Sequence, residues 1–194
     1  MLIIEGPDLV GKTTLAKRIA AMPQMQGEGM TYRHLSRLPE GFEFPWQYLT
    51  LASSRTIYDR FHMSEPVYAT ARGDQTDLCP EAYRIVDGHL AMLGAYTVVI
   101  TAHSSLIKER FAGRAESEMY NLDIVLKANQ LFSELVTRDA SSELVAYEPR
   151  FDAWFQCNGV TPFVDDEMVE HIVTSYLTRR ARLRQMLESR EVWD

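Results

Sequence analysis

Short apolar runs alternate along this chain with longer amphipathic stretches. Met1 to Glu5 (MLIIE) is apolar up to a glycine-bearing segment, which predicts a buried strand. Gly11 to Ala21 carries helix formers with Leu15, Ala16, Ile19 and Ala20 on one face, so a helix opens within the glycine segment. Met30 to Leu35 (MTYRHL) has the alternation of a second strand. Pro39, Gly41 and Pro45 then break the chain, and Trp46 to Ser53 suits a short helix. Arg55 to Asp59 (RTIYD) reads as a third strand, with helix or turn from Met63 to Ala71. Pro80 is placed to start a helix that runs to about Leu93. Tyr96 to Thr101 (YTVVIT) is the cleanest buried strand, and Ser104 or Ser105 can cap a helix through Phe111. A polar segment, Ala112 to Asn121, precedes a long helix from Leu122 to about Thr137. Trp154 to Cys157 suits a last strand. Asp165 and Asp166 suit the start of a long final helix, where negative charge meets the helix dipole.

Strands alternating with helices predict an α/β fold, a five-stranded parallel sheet covered on both faces in three layers. Ligands of such sheets bind at the carboxyl ends of the strands. No repeat, low-complexity tract or linker divides the chain, so its 194 residues predict one domain over 1–194.

Composition narrows the class. A hydrophobic fraction of 46% and a charged fraction of 24% belong to an ordinary globular protein and exclude disorder or a collagen-like repeat. No apolar run reaches the length of a membrane span, and MLII is too short for a signal peptide, so a cytoplasmic location without membrane contact is expected. Cys79 and Cys157 are far apart without metal spacing, which predicts two reduced structural thiols. The net charge of −7 disfavours nucleic-acid binding by an all-round basic surface. One stretch departs from this average: Arg179, Arg180, Arg182 and Arg184. They read either as a solvated helix face or as a contact for DNA phosphates. His34, His62, His89, His103 and His171 show no metal spacing; His62 alone adjoins the candidate site described next.

Gly6-Pro7-Asp8-Leu9-Val10-Gly11-Lys12-Thr13 satisfies GxxxxGK[ST] in full, between a predicted strand and a predicted helix. A loop wrapped round a polyphosphate needs glycine where the backbone comes close or takes positive φ. Its N–H groups form a nest for anions, and the following helix adds its dipole. Lys12 is expected to reach the β- and γ-phosphates of ATP, and the Thr13 hydroxyl to hold Mg²⁺. Gly6 to Thr14 is thus the expected ATP-binding set. A magnesium site also needs an acidic residue at another strand end. The strand Tyr96 to Thr101 lacks one, whereas the strand from Arg55 ends in Asp59, so Asp59 is the candidate metal-side carboxylate. The other readings of Asp59 are a helix cap or an ion pair with Arg60.

A second segment, Asp59-Arg60-Phe61-His62-Met63-Ser64-Glu65-Pro66-Val67-Tyr68, together with IIEGPDLVGKTT, resembles the thymidylate kinase family. It is most similar to the short thymidylate-kinase-like proteins of bacteriophages. Asp59, Arg60, Ser64 and Tyr68 match the family's spacing, Arg72-Gly73 its following arginine-glycine, and Asp8 the acidic residue inside its phosphate loop. The resemblance implies a P-loop kinase fold and transfer of the ATP γ-phosphate. Asp8 would accept from the acceptor's sugar hydroxyl, Arg60 would hold the acceptor's phosphate, and Arg72 would line that side. Ser64 and Tyr68 would belong to the same pocket. Glu109-Arg110-Phe111-Ala112-Gly113-Arg114 resembles a shortened lid, over about 110–121, with Arg110 and Arg114 on one helical face. Their other reading is a solvated helix end beside Glu109, Glu116 and Glu118. Asp8 is the nearest candidate for a base and Glu65 a looser one. The family also implies a homodimer and, for a phage-encoded chain, the host cytoplasm.

The stretch before Asp59 is shorter than in thymidylate kinases. Arg37, Trp46 and Tyr48 stand only by position where the family reads its base, and core packing is the alternative role for Trp46 and Tyr48. Two acceptors follow: a free pyrimidine deoxynucleotide such as dTMP or a modified dUMP, or 5-hydroxymethyluracil within phage DNA, which some phage relatives phosphorylate. An extruded nucleotide would suit an open cleft. The reading from another class is a P-loop NTPase whose hydrolysis drives a switch or an assembly.

Overall fold

The computed structural model describes residues 1–35, 46–74, 80–113, 121–139, 141–142, 144, 147–157 and 164–189. Arg37, Arg114, Cys79, the chain-breaking Pro39, Gly41 and Pro45, and Glu116 and Glu118 of the lid segment lie outside these residues.

Five parallel strands form one sheet: β1 (Leu2–Glu5), β2 (Thr31–His34), β3 (Thr56–Asp59), β4 (Tyr96–Ala102) and β5 (Ala153–Cys157), in the order β2-β3-β1-β4-β5. The helices are α1 (Lys12–Ala21), α2 (Pro23–Gly27), α3 (Gln47–Leu51), α4 (Ser64–Arg72), α5 (Pro80–Met92), α6 (Ser104–Ala112), α7 (Leu122–Thr137) and α8 (Asp166–Glu188). The three central strands, β1, β3 and β4, are buried along their whole length because both faces of the sheet are covered there, whereas the edge strands β2 and β5 are partly exposed. Leu2 and Ile4 point with Ile57, Val98 and Ile100 toward α1 and α8, where Leu15, Ile19, Ile172 and Tyr176 meet them. Ile3 and Tyr58 face the opposite layer, against Tyr48, Val86 and Leu90. Val99 packs on that same side with Val67, Leu131 and Phe132 of α4 and α7. Full burial of one such side chain stabilises the fold by about 1.5–3 kcal/mol.

Register brings the strand ends level. Ile4 lies opposite Asp59, His34 opposite Asp59, and Glu5 opposite Val99. Gly6, Leu35 and Arg60 therefore leave the sheet along one edge, which is where the site forms.

Two local expectations change. α6 is capped by His103, not by a serine: its ring accepts from the Ser105 N–H. β4 continues through Ala102, so Ser104 already lies inside the helix. The turn of helix α2 after Ala21 was not foreseen, although Pro23 at its start is a helix-opening signal. Asp165 caps α8 as expected, accepting from the Met168 N–H at 2.7 Å.

Three of the four α8 arginines are engaged within the chain. Arg179 pairs with Asp152, and Arg180 and Arg184 with Glu28 at 3.0 and 2.7 Å. Asp152 precedes β5 and Glu28 precedes β2, so these three arginines lie at the amino edge of the sheet, away from the phosphate loop. Among the described residues no helix is long and apolar enough to cross a membrane.

Candidate active site

The loop between β1 and α1 is tightly wound. Gly6, Leu9 and Gly11 have φ of 140°, 71° and 88°. A Cβ on Gly6 would meet the Ile100 carbonyl oxygen at 2.1 Å, so glycine is required there. Leu9 is not glycine, and holding it in the left-handed region costs about 1–2 kcal/mol. Its carbonyl accepts from Arg110 Nη1 at 2.9 Å, which ties α6 to the loop. α1 starts at the buried Lys12 with no side-chain cap, the arrangement in which a helix end takes an anion. Lys12 Nζ donates to the Pro7 carbonyl at 2.5 Å and so lies folded over the loop. Thr13 and Thr14 are exposed in the first turn beside it.

Asp59 is fully buried at the end of β3. Its Oδ2 accepts from the Thr13 hydroxyl at 2.5 Å and the Tyr32 hydroxyl at 3.3 Å, and lies 2.9 Å from His34 Nδ1. Burial first, and then Asp59, push the Tyr32 hydroxyl above its usual pKa. No helix starts at Asp59, and Arg60 pairs with Asp8 instead, so the cap and ion-pair readings fall away. Asp59 Oδ1 is buried without a hydrogen-bond partner. A buried oxygen without a partner is costly unless a ligand takes it. The Thr13 hydroxyl and this oxygen suit a hard cation that prefers oxygen ligands, as Mg²⁺ does. Mg²⁺ bound there would neutralise phosphate charge. The described residues contain no cluster of three His, Cys, Asp or Glu able to hold a metal.

The neighbouring segment brings Asp8, Arg60 and Tyr68 together. Arg60 pairs with Asp8, and both side chains are mostly buried. The Asp8 N–H donates to the Tyr68 hydroxyl at 2.7 Å, and the Arg60 guanidinium lies 5.4 Å from the centre of the Tyr68 ring. Arg60 has φ of 71°, and its N–H donates to the Ile4 carbonyl at 2.9 Å.

Other predicted residues are placed elsewhere. Ser64 is buried, and its hydroxyl donates to Glu5 at 2.6 Å, so it supports the turn from beneath. Arg72, at the end of α4, donates to Asp74 at 2.6 Å and lies 3.6 Å from Glu65, so both groups have local partners. Trp46 is 47% exposed at the start of α3, which removes the packing role for it. Tyr48 does pack, with its ring centre 4.9 Å from that of Phe61.

Sequence reasoning missed three residues here: Glu5, Tyr32 and His34. Glu5 is a carboxylate with no exposed surface, ending an apolar strand. The signal was an acidic residue at a buried position, read only as the strand's end. Tyr32 and His34 share a face of β2 by alternation, but only pairing with β3 brings them to Asp59.

Solved structures share this arrangement of elements. The YorR protein of Bacillus subtilis, solved in complex with phosphorylated GDP, is 22% identical with a TM-score of 0.66, covering 93% of this chain and 97% of its own. Polyphosphate kinase 2 from Arthrobacter aurescens TC1 is 15% identical with a TM-score of 0.53, covering 93% of this chain and 66% of that one. No family model matches the chain, and no curated protein does. The chain has the α/β fold of the P-loop kinases. At these identities the likeness concerns the fold; the chemistry has to be argued from the site.

Proposed function

We propose that the chain is an ATP-dependent phosphotransferase of thymidylate-kinase type, moving the ATP γ-phosphate to a free thymidine-like pyrimidine deoxynucleotide. The observation that carries this reading is the Asp8–Arg60 pair. A phosphate loop that only hydrolyses ATP has no need for a buried acid and arginine joined beside it. In transfer, Arg60 offers its fork to the acceptor's phosphate and Asp8 accepts from its hydroxyl. Tyr68 holds both groups in place through its hydroxyl and its ring.

Phosphoryl transfer rests mainly on positioning and charge neutralisation. Lys12 and Arg110 supply positive charge on the donor side, one folded over the loop and the other anchored on Leu9. Asp8 is the nearest base, although a loose transition state makes little demand for one.

The placement of Arg179, Arg180 and Arg184 on α8 favours a free nucleotide over a base in DNA. Arg179, Arg180 and Arg184 are paired, at the edge opposite the phosphate loop, and so offer no DNA contact beside the acceptor.

The test is transfer of label from γ-labelled ATP. The acceptors offered are dTMP, hydroxymethyl-dUMP and duplexes containing thymine or hydroxymethyluracil. Guanine nucleotides join them because YorR was solved with phosphorylated GDP. Label in dTMP or hydroxymethyl-dUMP is the expected result. Label only in modified duplex, or only in a guanine nucleotide, overturns the acceptor assignment. ATP hydrolysis with no labelled acceptor favours the switch or assembly reading. In Arg60→Ala the acceptor KM should rise at least roughly tenfold, the lower end of a hydrogen-bonded charge pair's contribution.

A further inference from the structure

The turn that carries Arg60 rests on a buried polar brace. Glu5 Oε1 accepts from the Phe61 N–H at 3.0 Å and the Met63 N–H at 2.9 Å, while Oε2 accepts from the Ser64 hydroxyl. Between Phe61 and Met63, His62 turns inward, and its Nε2 lies 2.6 Å from Oδ1 of Asp87 in the middle of α5. His62 and Asp87 are also buried. The His62 ring meets Phe61 and Tyr48 edge-on, with centres 5.7 and 6.2 Å away. Every residue from Phe61 to Ser64 is buried, and Glu5, Asp87 or the surrounding aromatic packing holds each one.

Such a brace is a poor device for stability alone. Buried ionisable groups are costly, and apolar side chains of similar volume often stabilise as well or better. Burial pushes the Glu5 carboxyl above its usual range, against the pull of His62 and its hydrogen bonds. What the brace supplies is geometry. Arg60 sits in the left-handed region, which a non-glycine residue keeps only when its surroundings over-determine it. Its own N–H is bonded to Ile4, the residue before Glu5. The residues after it are bonded to Glu5 itself. The end of β1 therefore holds the turn at its start and along its length.

We infer that Glu5 is a positioning residue for the acceptor site: it fixes the turn from Phe61 to Ser64 so that the Arg60 guanidinium stands beside Asp8, with the His62–Asp87 pair anchoring the same turn to α5. This rests on the reading that Arg60 holds the acceptor's phosphate. Glu5 touches no substrate in this role. It acts through Arg60, and so on the acceptor rather than on the nucleotide in the phosphate loop.

Glu5→Gln tests it, read as acceptor KM, kcat, affinity for a non-hydrolysable ATP analogue, and amide exchange at Phe61 and Met63. Acceptor KM is expected to rise roughly 10–100-fold, the scale of a misplaced substrate-holding group, with analogue affinity changed less than about twofold. The two amides should exchange faster. Equal losses in acceptor and analogue binding would mark a general structural role and overturn the inference. So would an additive loss when Glu5→Gln is combined with Arg60→Ala, because a residue acting through Arg60 has little left to lose. If Glu5→Gln does not fold, Ser64→Ala removes one of the three hydrogen bonds, and the same split, at a few-fold, is expected. An unchanged acceptor KM there counts against the brace. Arg60→Ala alone separates the two levels. An unchanged acceptor KM in that variant removes the acceptor assignment and this inference with it. A raised KM there beside an unchanged one in Glu5→Gln removes the inference alone.

Discussion

The Thr13 hydroxyl donates to Asp59 at 2.5 Å, joining the first turn of α1 to the end of β3. Two non-adjacent segments thereby present a hydroxyl and a buried carboxylate at one point, and one carboxylate oxygen has no partner. Asp59→Asn keeps the size of the side chain but puts an amide where a cation ligand belongs. A bound metal contributes several kcal/mol to charge stabilisation in such reactions, so kcat should fall roughly 10²-fold or more. Thr13→Ala should raise the Mg²⁺ concentration needed for half-maximal rate. Rates measured across a magnesium titration check both, and an unaltered magnesium dependence in both variants sinks the metal assignment.

Much of the fold is legible in the sequence. The five segments read as strands became the five strands to within about two residues: the central three as buried apolar runs, and the second, at the sheet edge, from its alternation. The tight winding of the loop from Gly6 to Gly11 was legible because positive φ and close backbone approach constrain residue type. What failed depended on contacts distant in sequence. Ser64 has the spacing of a pocket residue, yet its hydroxyl is used by Glu5, fifty-nine positions earlier. Tyr32 and His34 reach Asp59 only through the β2–β3 register. The α8 arginines read as a solvated face or a DNA contact, and the folded chain supplies Glu28 and Asp152 as partners to Arg179, Arg180 and Arg184. Local pattern carries element type; it does not carry which buried polar group finds which partner.

Lys12 lies folded over its own loop, with Nζ 2.5 Å from the Pro7 carbonyl. Its ammonium is buried, so it is held where a phosphate is to sit rather than recruited from solvent. Lys12→Ala removes that preorganised charge. Losing one such donor costs roughly 10²–10³-fold in kcat. Lys12→Arg should not restore the rate, since a planar fork does not reproduce a compact ammonium. Single-turnover transfer with either variant checks this, and an active Lys12→Ala enzyme would falsify the donor-site assignment.

Gly6→Ala should be destabilising well beyond an ordinary surface change. The position has φ of 140°, and the added Cβ would meet the Ile100 carbonyl oxygen at 2.1 Å. Strained backbone alone costs of order 1–3 kcal/mol, and the overlap with β4 adds to it. Gly27→Ala is the control, because a Cβ there meets nothing within 4 Å. Urea unfolding of both variants checks the difference. Equal midpoints would mean that the loop relaxes without cost and that Gly6 is not required by the fold.

Glu5 makes stability depend on pH in a direction opposite to that of most carboxylates. Burial raises its folded-state pKa above 4.5, with His62 and Lys12 pulling the other way. The folded state therefore keeps a proton that the unfolded chain releases. Its contribution is fully present below 4.5 and is lost as pH rises through the raised value. In that window unfolding free energy should fall with pH, by at most about 1.4 kcal/mol per pH unit for one proton. Glu5→Gln removes the titration and should flatten this fall, whatever it does to the absolute stability. Denaturant unfolding of both proteins from about pH 4 upward provides the comparison. Subtracting one curve from the other cancels groups that titrate alike in both chains. A difference curve without slope above 4.5 would mean that the carboxylate, held by two backbone N–H groups and a hydroxyl, ionises as readily inside the protein as in water.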